Sequence, residues 1–283
     1  MKVKSLKTKL GALLAISLLA GSVAIPSAAE AKQGSSVELL QEWYDDYRVN
    51  GAEAQKDDLS DDEAVMQNTY RQGQRIWTVN SRDGVNVTIN GWSIGFRARM
   101  KFYDGRAYNG FVTCTHCVRY SVDKRVYSTQ ANAANRVNPI GRNLCWVDGA
   151  EYDCAFVQMN AGHEMSARIT KDNAVIQDEF HDAKKGELVR LCGASSGVVA
   201  GQVVDTSASV RMKHPITGET RTYRNMIKTA KLGVEGDSGG LVYWMNSKKE
   251  RYPIGILIGS DATHSYIMPA SRIKMKMGLR TYQ

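Results

Sequence analysis

The sequence predicts an all-β body of short antiparallel strands, preceded by an export signal and an acidic leader. Three observations lead there. Past residue 84, short apolar or alternating runs recur between Gly-Ser and Asp-Gly punctuation, with no long helical period among them. The composition, 43% hydrophobic and 23% charged with 25 Gly and 5 Pro, is that of a globular chain and excludes collagen-like or Pro-rich low-complexity readings. The long uncharged run lies at the N-terminus behind Lys2, Lys4, Lys7 and Lys9.

That run, Leu10 to Ile25, ends in the small residues Ser27-Ala28-Ala29-Glu30-Ala31. A charged start, a short apolar middle and an A-x-A end mark a secretory signal peptide over residues 1–31, with cleavage after Ala31. A membrane anchor needs about 20 apolar residues, and this run is shorter. The chain is therefore expected to be secreted and, once the signal is cut, free of the membrane.

Residues 32–83 form the acidic leader. From Lys32 to Arg82 there are six basic and ten acidic residues, so the body carries more than the whole net charge of +8. Ser36 to Tyr44 has apolar positions three and four apart, and Ser60-Asp61-Asp62-Glu63 before Ala64-Val65-Met66 is a capping box; both predict helix. Opposite charges suggest a leader that docks on the body as a pro-segment, and a solvated helical extension is the other reading. Aromatic and basic residues are not interleaved as in RNA-binding chains, so no nucleic-acid partner is expected.

The body, residues 84–283, contains strand candidates at Val85–Ile89, Ser93–Phe96, Ala155–Met159, Val198–Val204 and Ile254–Ile258, and a short terminal helix from Met268 to Met277. Many short strands without long helices indicate a sandwich or barrel, here one double-barrel domain.

Three motifs carry chemistry. Gly236-Asp237-Ser238-Gly239-Gly240 places a serine between glycines that free the backbone to turn its amides toward one point. A serine hydroxyl needs a base to take its proton and donors for the oxyanion. His116 closes the apolar strand of Phe111-Val112-Thr113-Cys114-Thr115-His116-Cys117, and Asp153 opens the apolar strand Cys154-Ala155-Phe156-Val157. Singly, each of these two has a bland structural reading. Their chain order of His, Asp and Ser is one of the recurrent orders of the catalytic triad.

These residues resemble the chymotrypsin-like serine peptidases, above all the short bacterial branch that includes the streptogrisins and alpha-lytic protease. FVTCTHC is similar to that family's FVTAGHC, DCAFV to its Asp-x-Ala/Gly-x-Val segment, and GDSGG matches fully. Ser93–Phe96, Gly193–Gly197 and Tyr266–Ser271 resemble its opening strand, its Ser/Thr/Gly hairpin and its closing segment. The resemblance implies two antiparallel six-stranded β-barrels with a short C-terminal helix and a polypeptide substrate. It implies Ser238 as nucleophile, His116 as base and acid, Asp153 as orienting carboxylate, and the amides of Gly236 and Ser238 as oxyanion hole. It also implies a removable pro-segment, with the mature chain starting near Arg82 to Val85. Leu232, Glu235, Ile258, Ser260 and His264 stand where its specificity pocket would be. Leu232, where trypsin-like members carry Asp, gives no support to a preference for basic residues. A monomer without cofactor or metal is expected.

The cysteines depart from the family. It pairs the Cys after the histidine with one in the opening strand, where this chain has Trp92. Cys114 and Cys117 flank His116 as a Cys-x-x-Cys turn, open to a local disulfide, to free thiols, to redox chemistry or to metal. One Cys pair with one His is short of a strong zinc site, which ranks metal well below a disulfide or free thiols. Cys145 with Cys154 is a plausible second pair, leaving Cys192 odd. An inactive peptidase fold used for binding is the alternative function, and a thiol redox protein lacks the expected βαβ pattern around Cys114 and Cys117.

Overall fold

The alternating runs of the body become sixteen strands and three short helices in a computed structural model of the chain, which describes residues 68–102, 105–280 and 282. The expected signal peptide and both helix-forming stretches of the leader lie outside the described residues. No helix among the described residues is long and apolar enough to cross a membrane.

In chain order the first half holds β1 (Asn68–Gln72), β2 (Arg75–Ser81), β3 (Val87–Ser93), β4 (Arg97–Lys101), β5 (Ala107–Thr113), α1 (Thr115–Val118), β6 (Arg125–Val126), α2 (Gln130–Asn135), β7 (Gly141–Gly149), β8 (Tyr152–Met159) and β9 (His163–Ile169). The second holds β10 (Leu188–Gly193), β11 (Gly197–Lys213), β12 (Thr220–Ala230), β13 (Leu241–Met245), β14 (Arg251–Ser260), β15 (His264–Pro269), α3 (Ala270–Met277) and β16 (Leu279–Arg280).

The second half closes into a barrel in the order β10-β11-β12-β15-β14-β13. Closure leaves no strand edge unpaired, and the inward residues Val189, Leu191, Val203, Ile227, Val242, Ile254, Leu257 and Ile267 form its core. The first half is a six-stranded sheet, β16-β4-β5-β8-β7-β6. Beside it stands the β2–β3 hairpin, joined through bridges Trp77–Tyr127 and Asn80–Ser121. Helix α3 buries Ala270, Ile273 and Met277 and ends at Gly278, whose φ of +63° turns the chain back. β16 then pairs with β4, so the C-terminal end stitches the second half to the first.

Residues 68–81, placed in the leader by the sequence, pack against the rest of the described chain: β1 runs parallel to β9, β2 pairs with β3, and Tyr70, Gln72, Ile76 and Val79 are buried. The segment NTYRQ has no alternating apolar pattern, and its burial comes from β9, nearly a hundred residues away. A cut near Arg82 to Val85 falls in the exposed β2–β3 turn, where Asp83 accepts hydrogen bonds from the amides of Val85 and Asn86, and leaves 68–81 embedded.

Two leucines on β10 test the barrel interior. Leu191 is fully buried and Leu188 is 51% exposed. Leu191→Ala is expected to lower the unfolding free energy by about 2–5 kcal/mol. Leu188→Ala should change it by less than about 0.5 kcal/mol in the same denaturant titration.

Candidate active site

The apolar end of β5 delivers the chain into the single turn of α1, whose N-cap is Cys114. Thr115 Oγ1 lies 2.8 Å from the carbonyl of Val147 and 2.9 Å from that of Cys154, which pins the turn against the β7–β8 hairpin. Asp153, on β8 and 1% exposed, therefore faces His116, 3% exposed. The His116 amide donates to Asp153 Oδ1 at 3.1 Å, and Nδ1 donates to Oδ2 at 2.6 Å. Two bonds to one carboxylate fix both ring orientation and tautomer, so the lone pair of the neutral ring lies on Nε2. That atom is buried and has no hydrogen-bond partner.

Burial works against charge on both groups, and their contact overrides it. It pulls the His116 pKa down, but the Asp153 carboxylate and the Cys117 sulfur in its thiolate form hold it well above the ordinary histidine value. It pushes Asp153 up, but His116 keeps it below the usual carboxylate range. The ring packs edge-on against Trp92 at 5.5 Å. Trp92 Nε1 donates to Thr78 Oγ1, which donates to the Cys117 carbonyl, so the packing is itself tied to α1.

Ser238 reaches the same seam through its backbone. Its carbonyl accepts from the Ser93 amide at 2.9 Å and faces Cys117 Sγ at 3.7 Å. Gly239, with φ of +83°, makes that approach possible: a Cβ there would stand 2.0 Å from Thr113 Oγ1. The half-buried Ser238 hydroxyl makes no hydrogen bond to His116 Nε2. Thus His116 and Asp153 are joined directly, and Ser238 is brought beside them by its main chain. Among the described residues, the amides of Gly236 and Ser238 donate to no acceptor, whereas those of Asp237, Gly239 and Gly240 are all bonded.

Asp237 anchors this loop. The carboxylate is fully buried and accepts from the amides of Ser195 (2.7 Å), Ser196 (3.0 Å) and Val234 (2.9 Å) and from the Ser196 hydroxyl. Four donors occupy its acceptor capacity without a cation. They tie the Gly236–Gly240 loop to the β10–β11 turn, which Ser195 Oγ also bonds through the Glu235 carbonyl at 2.8 Å.

The five pocket candidates divide. Leu232 and Ile258 are buried and pack into the hydrophobic core, while Glu235 is exposed and Ser260 and His264 are partly so. Ser265, which the sequence placed with His264 on the far wall of the pocket, organises this wall: its Oγ accepts from the amides of Leu232 (2.9 Å) and Gly233 (3.3 Å) and lies 2.7 Å from Ser260 Oγ. His264 Nδ1 lies 2.7 Å from Thr263 Oγ1.

The long β11–β12 hairpin supplies a residue that no motif marks. His214, at its tip, is 3% exposed and lies edge-on to His116 at 6.0 Å and to Tyr120 at 5.1 Å. Its Nδ1 accepts from the amides of Ile216 and Thr217, so its proton is on Nε2, which is buried and unpartnered. Burial and the His116 charge pull its pKa down to about 4. The hairpin is clamped to the first half: Arg221 Nη1 donates to both Asp148 oxygens at 2.7 Å, Arg119 also pairs with Asp148, and the Arg224 amide donates to the Ala150 carbonyl at 2.7 Å. Only the length of the two strands signals this crossing in the sequence.

All five cysteines are free, buried thiols, so neither expected disulfide is present. They act as small core residues whose weak donors find carbonyls or sulfur: Cys114 to Leu257 (3.2 Å), Cys192 to Gln72 (3.6 Å), and Cys145 toward Met100 Sδ (3.4 Å). The donor atoms of Cys114, His116 and Cys117 lie within 4.8 Å of one another, the one such group among the described residues.

Among solved structures, the architecture is similar to Thermobifida fusca protease A, with a TM-score of 0.56 and 17% identity over 76% of this chain and 99% of that one. Nocardiopsis protease matches with a TM-score of 0.56 and 19% identity, over 76% and 100% of the two chains. A glutamic acid specific serine protease, described as using a histidine triad in substrate binding, matches with a TM-score of 0.55 and 19% identity over 75% and 100%. The chain has the chymotrypsin fold. No family model and no curated protein matches it.

The loop anchor can be tested at Gly193, where a Cβ would stand 2.4 Å from Asp237 Oδ1. Gly193→Ala is expected to destabilise the protein by about 1–3 kcal/mol. Gly149→Ala, where a Cβ meets nothing within 4 Å, should leave thermal unfolding within about 0.5 kcal/mol of the parent.

Proposed function

We propose that the protein is a secreted serine endopeptidase that cleaves peptide bonds through an acyl-enzyme. The observation that carries this reading is the dry His116–Asp153 pair packed beside a Ser238 loop whose two undonated amides are those of Gly236 and Ser238. Ser238 Oγ attacks the scissile carbonyl, and His116 Nε2 takes its proton. The Gly236 and Ser238 amides donate to the oxyanion of the tetrahedral intermediate. His116⁺ then protonates the leaving amine, the C–N bond breaks, and the acyl group stays on Ser238. Water, deprotonated by the same imidazole, releases it. Asp153 stabilises the imidazolium in both halves and keeps the proton on Nδ1.

Asp237 supports a preformed loop, because its carboxylate is saturated by groups of the chain itself. Glu235, Ser260 and His264 would contact the substrate side chain from the pocket rim, with Leu232 and Ile258 as buried support. The signal peptide, export, a leader that docks on or inhibits the body, and a monomeric state belong to the same proposal. Its removal would fall before Asn68, since residues 68–81 are built into the sheet region. The inactive binding fold draws on one observation: Nε2 of His116 is buried, unpartnered and flanked by His214.

Labelling with a fluorophosphonate probe separates the two. The peptidase reading expects labelling that Ser238→Ala abolishes; no labelling of the folded protein, with or without residues 32–67, would overturn it. Activity should also follow His116. The base works only when neutral, and its pKa lies above the ordinary value, so kcat/KM should climb with pH through a raised ionisation and fall away below it. Asp153→Asn should shift that inflection downward and cut kcat by on the order of 10⁴-fold.

A further inference from the structure

We propose that Cys114, His116 and Cys117 form a binding site for a soft divalent d¹⁰ cation, Zn²⁺ above all, and that loading this site switches the enzyme off. The inhibitory half rests on the peptidase reading; the binding half does not.

The geometry is local and dense. Cys114 caps α1, and His116 and Cys117 lie on its one turn, so Cys-Thr-His-Cys presents three donors from four consecutive residues. Their donor atoms lie within 4.8 Å of one another, and all three residues are buried. Around tetrahedral zinc, with bonds of about 2.0–2.3 Å, neighbouring donors stand roughly 3.3–3.8 Å apart. Small side-chain rotations close that gap. A second observation points to a ligand: His116 Nε2 is buried with no hydrogen-bond partner, while Nδ1 stays with Asp153. A metal-bound histidine that donates its other nitrogen to a carboxylate is a recurrent arrangement that strengthens the ligand.

The charge balance suits a dry site. The two sulfurs bind as thiolates and His116 as the neutral imidazole, so the protons these three groups carry leave to solvent as the cation binds, and two thiolates, one neutral imidazole and one divalent cation sum to zero. Three protein donors leave a fourth position open for water. The thiols now donate to the carbonyls of Leu257 and Ser238, bonds weak enough to give up for coordination. With Nε2 engaged by metal, the ring cannot accept the Ser238 proton, and acylation stops.

The test uses the full chain, reduced and freed of metal. Cd²⁺ is titrated while the sulfur-to-cadmium charge-transfer absorption is read, and proton release is followed in weak buffer. The expected result is one equivalent bound, with protons released to solvent as it binds. Cys114→Ala and Cys117→Ala should each weaken binding by at least about tenfold, and the double variant should lose the band. Absence of the band, or its survival in the double variant, would overturn the site. Should the variants unfold, the parent protein still decides: bound Cd²⁺ must protect Cys114 and Cys117, not Cys192, from alkylation mapped by mass spectrometry. Zn²⁺ should also block fluorophosphonate labelling of Ser238, and a chelator should restore it. Labelling that persists at saturating Zn²⁺ would overturn the switch. A cadmium band together with no labelling in any state would keep the metal site and reject the peptidase reading.

Discussion

A carboxylate that is 1% exposed is tolerable only if its charge is answered, and among the described residues Asp153 takes its two hydrogen bonds from the amide and ring of His116. Much of the arrangement around the seam follows from that pair. The β7–β8 hairpin must run close to α1, so Thr115 is tied to both of its strands. The imidazole must present Nε2 away from Asp153, in a buried setting where Trp92 and His214 pack edge-on to the ring. Removing either partner of such a buried pair leaves a bare charge or an unsatisfied ring, a loss of about 3–5 kcal/mol in comparable sites.

The second constraint is the loop that carries Ser238. A chain holding two amides free of acceptors loses hydrogen bonds that a relaxed turn would make. The compensation is Asp237, whose four donors come from the β10–β11 turn and from its own loop. Gly193 and Gly239 admit the close contacts on either side. The β11–β12 hairpin then reaches from the closed barrel to Asp148 and Ala150, so the two halves are tied across the site as well as by β16.

His116, Asp153 and Ser238 stood out as candidates because each sits in a short motif whose neighbours shape its backbone: an apolar strand ahead of His116, one behind Asp153, glycines around Ser238. Strand periodicity likewise announced β5, β8, β11 and β14. β1 was not legible, since NTYRQ owes its burial to pairing with β9. His214 was not legible either, because its relation to His116 spans almost a hundred residues and rests on the hairpin clamp. For a related reason the spacing of the cysteines left disulfides and free thiols open, and the packed core uses the residues as small apolar groups.

By itself, the sequence determined the β class of the body, the order of the three candidate catalytic residues and the clustering of two cysteines about a histidine. These are properties of neighbouring residues and of strand-length periodicity, and local sterics suffice to express them. Only the tertiary structure decided that residues 68–72 pair with β9, that Asp237 is satisfied without a cation, that His214 lies against His116, and that the thiols are free. Each depends on contacts between segments far apart in the chain, where burial and hydrogen-bond satisfaction are set by the closed barrel and the sheet packed beside it.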